Sequence, residues 1–244
     1  MKEDRYLVMG DLKDYRFKEL KYYVVANVLI ILLVSGAFSL INSELAGLPK
    51  PKVAITVFEG LTIQLVSAGL LVSIVCIYAF ILDAIISSEL KYTICYLYFW
   101  KQPGYTIFSK IQEGKVTDER FSQADFLVKY KNILNGMEQI EDKNERMKFE
   151  NQNWYRIYNR LRNEGSVIGA NRDYLLCRDL CIMSFLLLIA YILLCILSSI
   201  QFNHNLGLFI AVEFIITDIA FWIKGKRLAL NVIAIDMYTE TKAC

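Results

Sequence analysis

From Leu180 to Ile223 the chain has no Lys or Arg, and Asn203-His204-Asn205 is the one polar interruption near the middle. A hydrocarbon core of about 30 Å takes about 20 apolar helical residues to cross. Leu180–Phe202 and Leu206–Ile223 each reach that length, and three residues between them suffice for a tight reversal. The stretch therefore predicts a helical hairpin in a membrane. The rest of the chain fits this reading: 55% of residues are hydrophobic, only three are proline, and the mean hydropathy is positive. That composition is too apolar for an ordinary soluble domain.

Two further apolar runs precede it. Tyr22–Ile41 predicts a first span, with Tyr22 and Tyr23 at the depth where interfacial aromatics sit. The stretch Asn42–Gly60, with Gly47, Pro49 and Pro51, reads as a loop, and Leu61 to about Leu82 reads as a second span ended by Asp83. The predicted fold is all-α, with four transmembrane helices as two hairpins around a helical insert. Residues 1–86 hold the N-terminal helix and first hairpin. Residues 87–178 form the insert, and 179–244 the second hairpin and tail. No cleavable secretory signal is expected, because residues 1–21 mix charges and lack a short apolar core.

Charge placement gives the orientation. Of the 27 Lys and Arg residues, six precede the first span, fifteen are in the insert and four in the tail. Only Lys50 and Lys52 remain for the loop after the first span. Cationic residues collect on the cytoplasmic side. The expectation is an inner-membrane, multi-pass protein with both termini and the insert in the cytoplasm. A net charge of +2 gives no electrostatic case for nucleic acid, and no direct nucleic-acid binding is expected.

Within the insert, Tyr92–Trp100 is strongly aromatic and Lys101-Gln102-Pro103-Gly104 turns the chain. Residues Asp118 to about Met147 are rich in helix formers. A second helix is expected from about Glu150, with Trp154, Ile157/Tyr158 and Leu161 on one face. The apolar faces of the insert have to pack on one another, on the tail, or on a neighbouring copy. The tail segment Leu228–Met237 either continues the fourth helix or lies on the membrane surface.

The intramembrane polar residues are candidate functional groups, because a charge near the bilayer centre costs about 2.5–3.5 kcal/mol on insertion scales. They are Glu213 and Asp218 in the fourth span, Tyr191 in the third and Asn27 in the first. Five helical residues turn the chain through about 140°, so Glu213 and Asp218 point to different faces and make a poor catalytic pair. Counting outward from His204 sets Tyr191 level with Asp218 and Cys195 level with Glu213. A Tyr191–Asp218 hydrogen bond is thus available. The acids are either satisfied between helices, or Glu213 lines an aqueous path made by several copies. Small residues such as Gly69 and Ser73 allow close helix approach and permit a homo-oligomer.

At the mouth of the third span, Arg172-Asp173 and Arg178-Asp179 read as a network fixing the helix angle. Together with Trp154 and Arg156 they also suit an anionic ligand, a protein partner or lipid headgroups, since guanidinium groups match planar anions. Free thiols are expected of the six cysteines, as none falls in a predicted outside loop. Cys177-x-x-x-Cys181 lacks the spacing and His partners of a zinc site, so no metal is expected. Absent too are a P-loop, a dinucleotide fingerprint and a His-Glu-x-x-His motif. Neither enzymatic activity nor a cofactor is expected.

Three segments carry a resemblance: Tyr98-Phe99-Trp100-Lys101-Gln102-Pro103-Gly104, Asn153-Trp154-Tyr155-Arg156-Ile157-Tyr158, and Asn171 to Asp179 running into the hydrophobic hairpin. In these the chain resembles small multispanning bacterial membrane proteins of anti-phage defence operons. The resemblance covers the C-terminal part of the chain and transfers no active-site residue. It implies a membrane component on which a cytosolic partner or signal acts, stopping infection by disturbing the bilayer.

Overall fold

A computed structural model describes residues 18–31, 77–78, 81–82, 85–96, 101–197 and 202–241. The second predicted span lies almost wholly outside the described residues, as do the end of the first span, Asp83, and the small-residue pairs. Every regular element among the described residues is helical. In chain order these are α1 (residues 18–31), α2 (Ser88–Cys95), a 3-10 turn (Pro103–Tyr105), α3 (Ile107–Gln112), α4 (Gln123–Lys129) and α5 (Lys131–Glu138). They are followed by α6 (Lys143–Leu161), α7 (Gly165–Ile196) and α8 (His204–Thr241).

Two helices, α7 and α8, are long and apolar enough to cross a membrane. At 1.5 Å per residue they extend about 48 and 57 Å, well beyond the ~30 Å of hydrocarbon. Their apolar side chains are not turned wholly inward. Ile192, Leu193 and Ile196 on α7, and Leu208, Ile215 and Ile216 on α8, are exposed. In water such a surface would be unfavourable by about 25 cal/mol per Å², and it suits hydrocarbon.

The chain divides into two compact units. One comprises residues 1–91 and 179–217, the other 92–178 and 218–244. In the first unit, Leu20, Val24 and Val28 of α1 recur at helical spacing and bury against Met183 of α7. Tyr191 packs with Leu206 and Ile210, with Ile31 against them.

In the second unit, rings organise the core. Phe108, Phe126 and Tyr130 pack with centroids 4.9–5.9 Å apart, the Phe108–Tyr130 pair edge-on. Tyr92, Tyr96, Tyr174 and Phe221 form a second aromatic group, with Tyr174 stacked on Phe221 at 4.9 Å. The expected helix over residues 118–147 is divided instead. Ser122 caps α4 by accepting from the Asp125 amide (3.1 Å), and Tyr130 leaves helical geometry before α5. Asp142 then caps α6 through the Glu145 amide (2.8 Å), so the helix begins at Lys143, seven residues before the expected start at Glu150.

The second hairpin differs from its predicted boundaries. Helix α7 ends at Ile196 rather than Phe202, and α8 begins at His204 rather than Leu206. Helix α8 runs unbroken through the tail, and Leu228, Ala229, Val232 and Ile233 are buried. The tail thus continues α8.

Candidate functional site

The first unit assembles a polar cluster from three apolar helices. On α1, Tyr23 and Asn27 stand one turn apart on the same face. The Tyr23 hydroxyl meets the Ser184 hydroxyl of α7 at 2.7 Å, and Ser184 meets Thr217 of α8 at 3.1 Å. The Ser184 and Thr217 hydroxyls also lie within hydrogen-bond distance of carbonyls one turn back on their own helices, Leu180 (2.8 Å) and Glu213 (3.0 Å). The amide of Asn27 donates to Glu213 Oε1 at 2.9 Å and to the Tyr23 carbonyl at 3.2 Å.

Asn27 is 3% exposed, so this pair is an internal contact between α1 and α8. Its balance is incomplete. Glu213 Oε2 and Asn27 Oδ1 are both buried with no hydrogen-bond partner. Most buried polar atoms are paired, and an orphan acceptor costs about 1–3 kcal/mol. The cluster therefore holds an acid by one neutral donor, with two acceptors left over.

Two of the four predicted intramembrane residues, Asn27 and Glu213, are brought together. Tyr191 is not where the sequence sets it. Its hydroxyl donates to the Asn203 carbonyl (2.9 Å) and accepts from the Asn203 amide (2.8 Å). The reason is the register of the two helices: Ser184 lies opposite Thr217, and Phe185 against Phe214 at 5.6 Å, displacing the expected level pairs. The Tyr191–Asp218 bond is accordingly replaced by a clasp on the loop, and Cys195 packs beside Tyr191, Leu206 and Ile210 rather than facing Glu213. Asp218 is half-buried and begins the α8 portion of the second unit.

The predicted headgroup or partner residues separate into different environments. Asp173 is held by Lys224 at 2.7 Å and more loosely by Arg172 at 3.3 Å. Arg178 lies over the Tyr92 ring, 5.7 Å from its centroid, and its carbonyl accepts from the Cys95 thiol. Asp179 is buried at 3% exposure and belongs to the first unit. Trp154 donates its indole N–H to the Ala229 carbonyl at 3.3 Å, which ties α6 to α8. Arg156 is exposed. Cys95, Cys177, Cys181 and Cys195 are free thiols. Among the described residues no three His, Cys, Asp or Glu side chains converge as a metal would require.

The most connected acid in the second unit is absent from the sequence reading. Asp236 is 2% exposed. Its Oδ1 accepts from Arg160, and its Oδ2 accepts from Tyr130 at 2.6 Å and lies 3.4 Å from the Lys129 ammonium, which also donates to the Asp236 carbonyl. The signal was present: Asp236 is the one acid in the apolar run Leu228–Met237. Glu150 was missed as well. It is fully buried and accepts from the Ser109 hydroxyl and from the Ser109 amide (3.2 Å). Burial pushes its carboxyl above the ordinary value, and the Ser109 hydrogen bonds pull it partly back.

Comparison with protein families, curated proteins and solved structures finds no match to this chain.

Proposed function

We propose that this chain is a multi-pass inner-membrane protein with four spans in two hairpins, and with both termini and the insert in the cytoplasm. It self-associates and alters membrane permeability when its cytosolic helices receive a partner or signal, as the membrane component of a bacterial defence system. The observation that carries the reading is the Asn27–Glu213 pair, set between helices whose outer faces are apolar. An acid in such helices is expensive to keep unless it has a use. Glu213 has one neutral donor and a spare oxygen, so a modest helix rearrangement would turn it toward water or toward another copy.

A second reading, a non-conducting anchor that recruits a cytosolic protein, is favoured by the same pair seen at rest. Glu213 already has an internal partner and does not need an aqueous path. Three measurements separate the readings. Light scattering of the detergent-solubilised protein gives copy number. Dye efflux from reconstituted vesicles, and membrane potential in phage-challenged cells, give permeability. The effector reading expects an oligomer and a leak that Glu213→Leu changes. A monomer that leaves vesicles tight and holds the potential through infection would sink it. An oligomer that never conducts would favour the anchor. Labelling of Lys143→Cys from outside intact cells would overturn the topology.

A further inference from the structure

The second unit contains a cavity of about 220 Å³ whose polar lining includes Lys101, Lys110, Lys115, Lys226, Thr106 and Trp222, and no acid. Four separate features bring these lysines together. The Pro103 ring packs closely on Gly225, where an added Cβ would come within 3.1 Å of it, and this sets the 101–106 turn beside α8. Trp222 and Lys226 are four residues apart on α8 and share a face. The Lys110 amide bonds the Thr106 carbonyl at 3.1 Å, continuing the turn into α3. Gly114, at φ +68°, then reverses the chain so that the Lys115 and Val116 amides fold back onto the Lys110 carbonyl, at 2.9 and 3.2 Å. That left-handed conformation is one glycine adopts without strain.

Lys129, Lys224, Arg160 and Arg120 each have a carboxylate partner. Among the described residues Lys101, Lys110 and Lys226 have none, and Lys115 has only the exposed Glu113 at 2.6 Å. Lys110 and Lys226 are half-buried, so their mutual repulsion is less screened than that of free surface charges. Four lysines lining one cavity whose lining holds no acid favour an anion. The cavity is smaller than the ~300–1,000 Å³ of pockets for drug-sized ligands. It suits a compact, multiply charged group, and lysines bind phosphate as point charges.

We propose that this cavity binds a phosphate or diphosphate group, on either a soluble ligand or a lipid headgroup, with Lys110 and Lys226 as its principal cations. The proposal is independent of conduction and of self-association. It is tested on the full-length protein in phosphatidylcholine nanodiscs titrated with inorganic diphosphate, following tryptophan fluorescence and calorimetric heat. The expected result is saturable binding, weakened about tenfold by each of Lys110→Gln and Lys226→Gln. Lys101→Gln and Lys115→Gln, at exposed positions that folding tolerates, weaken it less. The exposed pair Lys143→Gln/Lys148→Gln, which removes twice the charge of either single variant but on α6, changes it less than about twofold. Trp222→Phe removes the fluorescence change and keeps the heat.

Repeating the titration in nanodiscs containing phosphatidic acid distinguishes the sources. Loss of the diphosphate response there identifies a headgroup as the occupant, and its persistence identifies a soluble ligand. Equal weakening by the α6 control pair, or no difference between wild type and Lys110→Gln or Lys226→Gln variants of unchanged helical content, would overturn the proposal.

Discussion

Two acids on the same helix are handled in opposite ways. Asp236, in the second unit, has both oxygens met, Oδ1 by Arg160 and Oδ2 by Tyr130 and Lys129. Glu213, in the first unit, has Oε1 met by the Asn27 amide and Oε2 by nothing. The difference follows from what each neighbourhood can supply. Arg160 is 59% exposed at its side chain, so its guanidinium keeps contact with water while its tip reaches a buried carboxylate. Around Glu213 the available partners are amide and hydroxyl groups on apolar helices. Asp236 is met by two cations and a phenol, and Glu213 by one neutral amide among helices with exposed Ile and Leu. The first arrangement locks a geometry; the second leaves it adjustable.

The contrast can be broken most forcefully at Asp236. Asp236→Ala removes the carboxylate that Arg160, Tyr130 and Lys129 share. It should lower stability by about 3 kcal/mol, toward the lower end of the cost of breaking a buried pair because Arg160 remains hydrated. Thermal unfolding of the solubilised protein, followed by circular dichroism, measures this. If Asp236→Ala melts within a degree of wild type, the network is not what holds this unit.

Next in size is Gly104→Ala. A Cβ there would lie 2.6 Å from Asn151 Oδ1 and 2.9 Å from the Trp154 ring, so α6 must move away from the turn. The expected loss is about 1–3 kcal/mol. The Trp154 indole bond to Ala229 should weaken with it, read as a red shift in emission.

In the first unit, Asn27→Leu removes the one donor to Glu213 and should be destabilising by about 1–2 kcal/mol. Glu213→Gln should be nearly neutral, since a glutamine keeps an acceptor toward Asn27 and gains a donor. A double-mutant cycle between the two positions gives the coupling, and zero coupling would remove the pair from the argument.

Glu150 sharpens the comparison by pH. Its folded-state value is raised, so its contribution to stability is fully present below the ordinary value of 4.5 and is lost as pH rises through the folded value. Glu150→Gln retains a pairing with Ser109 and has no such titration. The wild-type protein should therefore lose stability relative to Glu150→Gln as pH rises from about 4.5 toward neutrality. A constant difference across that window would contradict the assigned burial effect.

The smallest effect is expected at Lys224→Ala. The Lys224–Asp173 pair is about one-third exposed on both sides and is worth at most about 1 kcal/mol.

The sequence alone reveals the two long apolar helices, because length and the absence of Lys and Arg from Leu180 to Ile223 are one-dimensional properties. It also picks out Asn27 and Glu213 individually, as polar residues in apolar runs. That they touch was not legible, since the pairing depends on how α1 packs on α8. The Tyr191 assignment depended on where the hairpin reverses, and apolar residues on either side of the turn look alike in sequence. A few residues' error in the reversal moves every level pair along the two helices. Asp236 was legible in principle. In sequence Leu228–Met237 reads as an apolar stretch that either continues the helix or lies on the membrane surface, whereas the structure continues it as α8. The lysines around Trp222 could not be grouped at all without Gly114 and the contact of Pro103 on Gly225.

The Tyr191 clasp on Asn203 carries one more consequence. Backbone groups at a chain reversal ordinarily satisfy themselves with solvent, yet here one phenol serves both the amide and the carbonyl of the same residue. The Asn203 amide should thus resist deuterium uptake. Tyr191→Phe should abolish that protection, making this amide a reporter of whether the two helices have come apart at their tips.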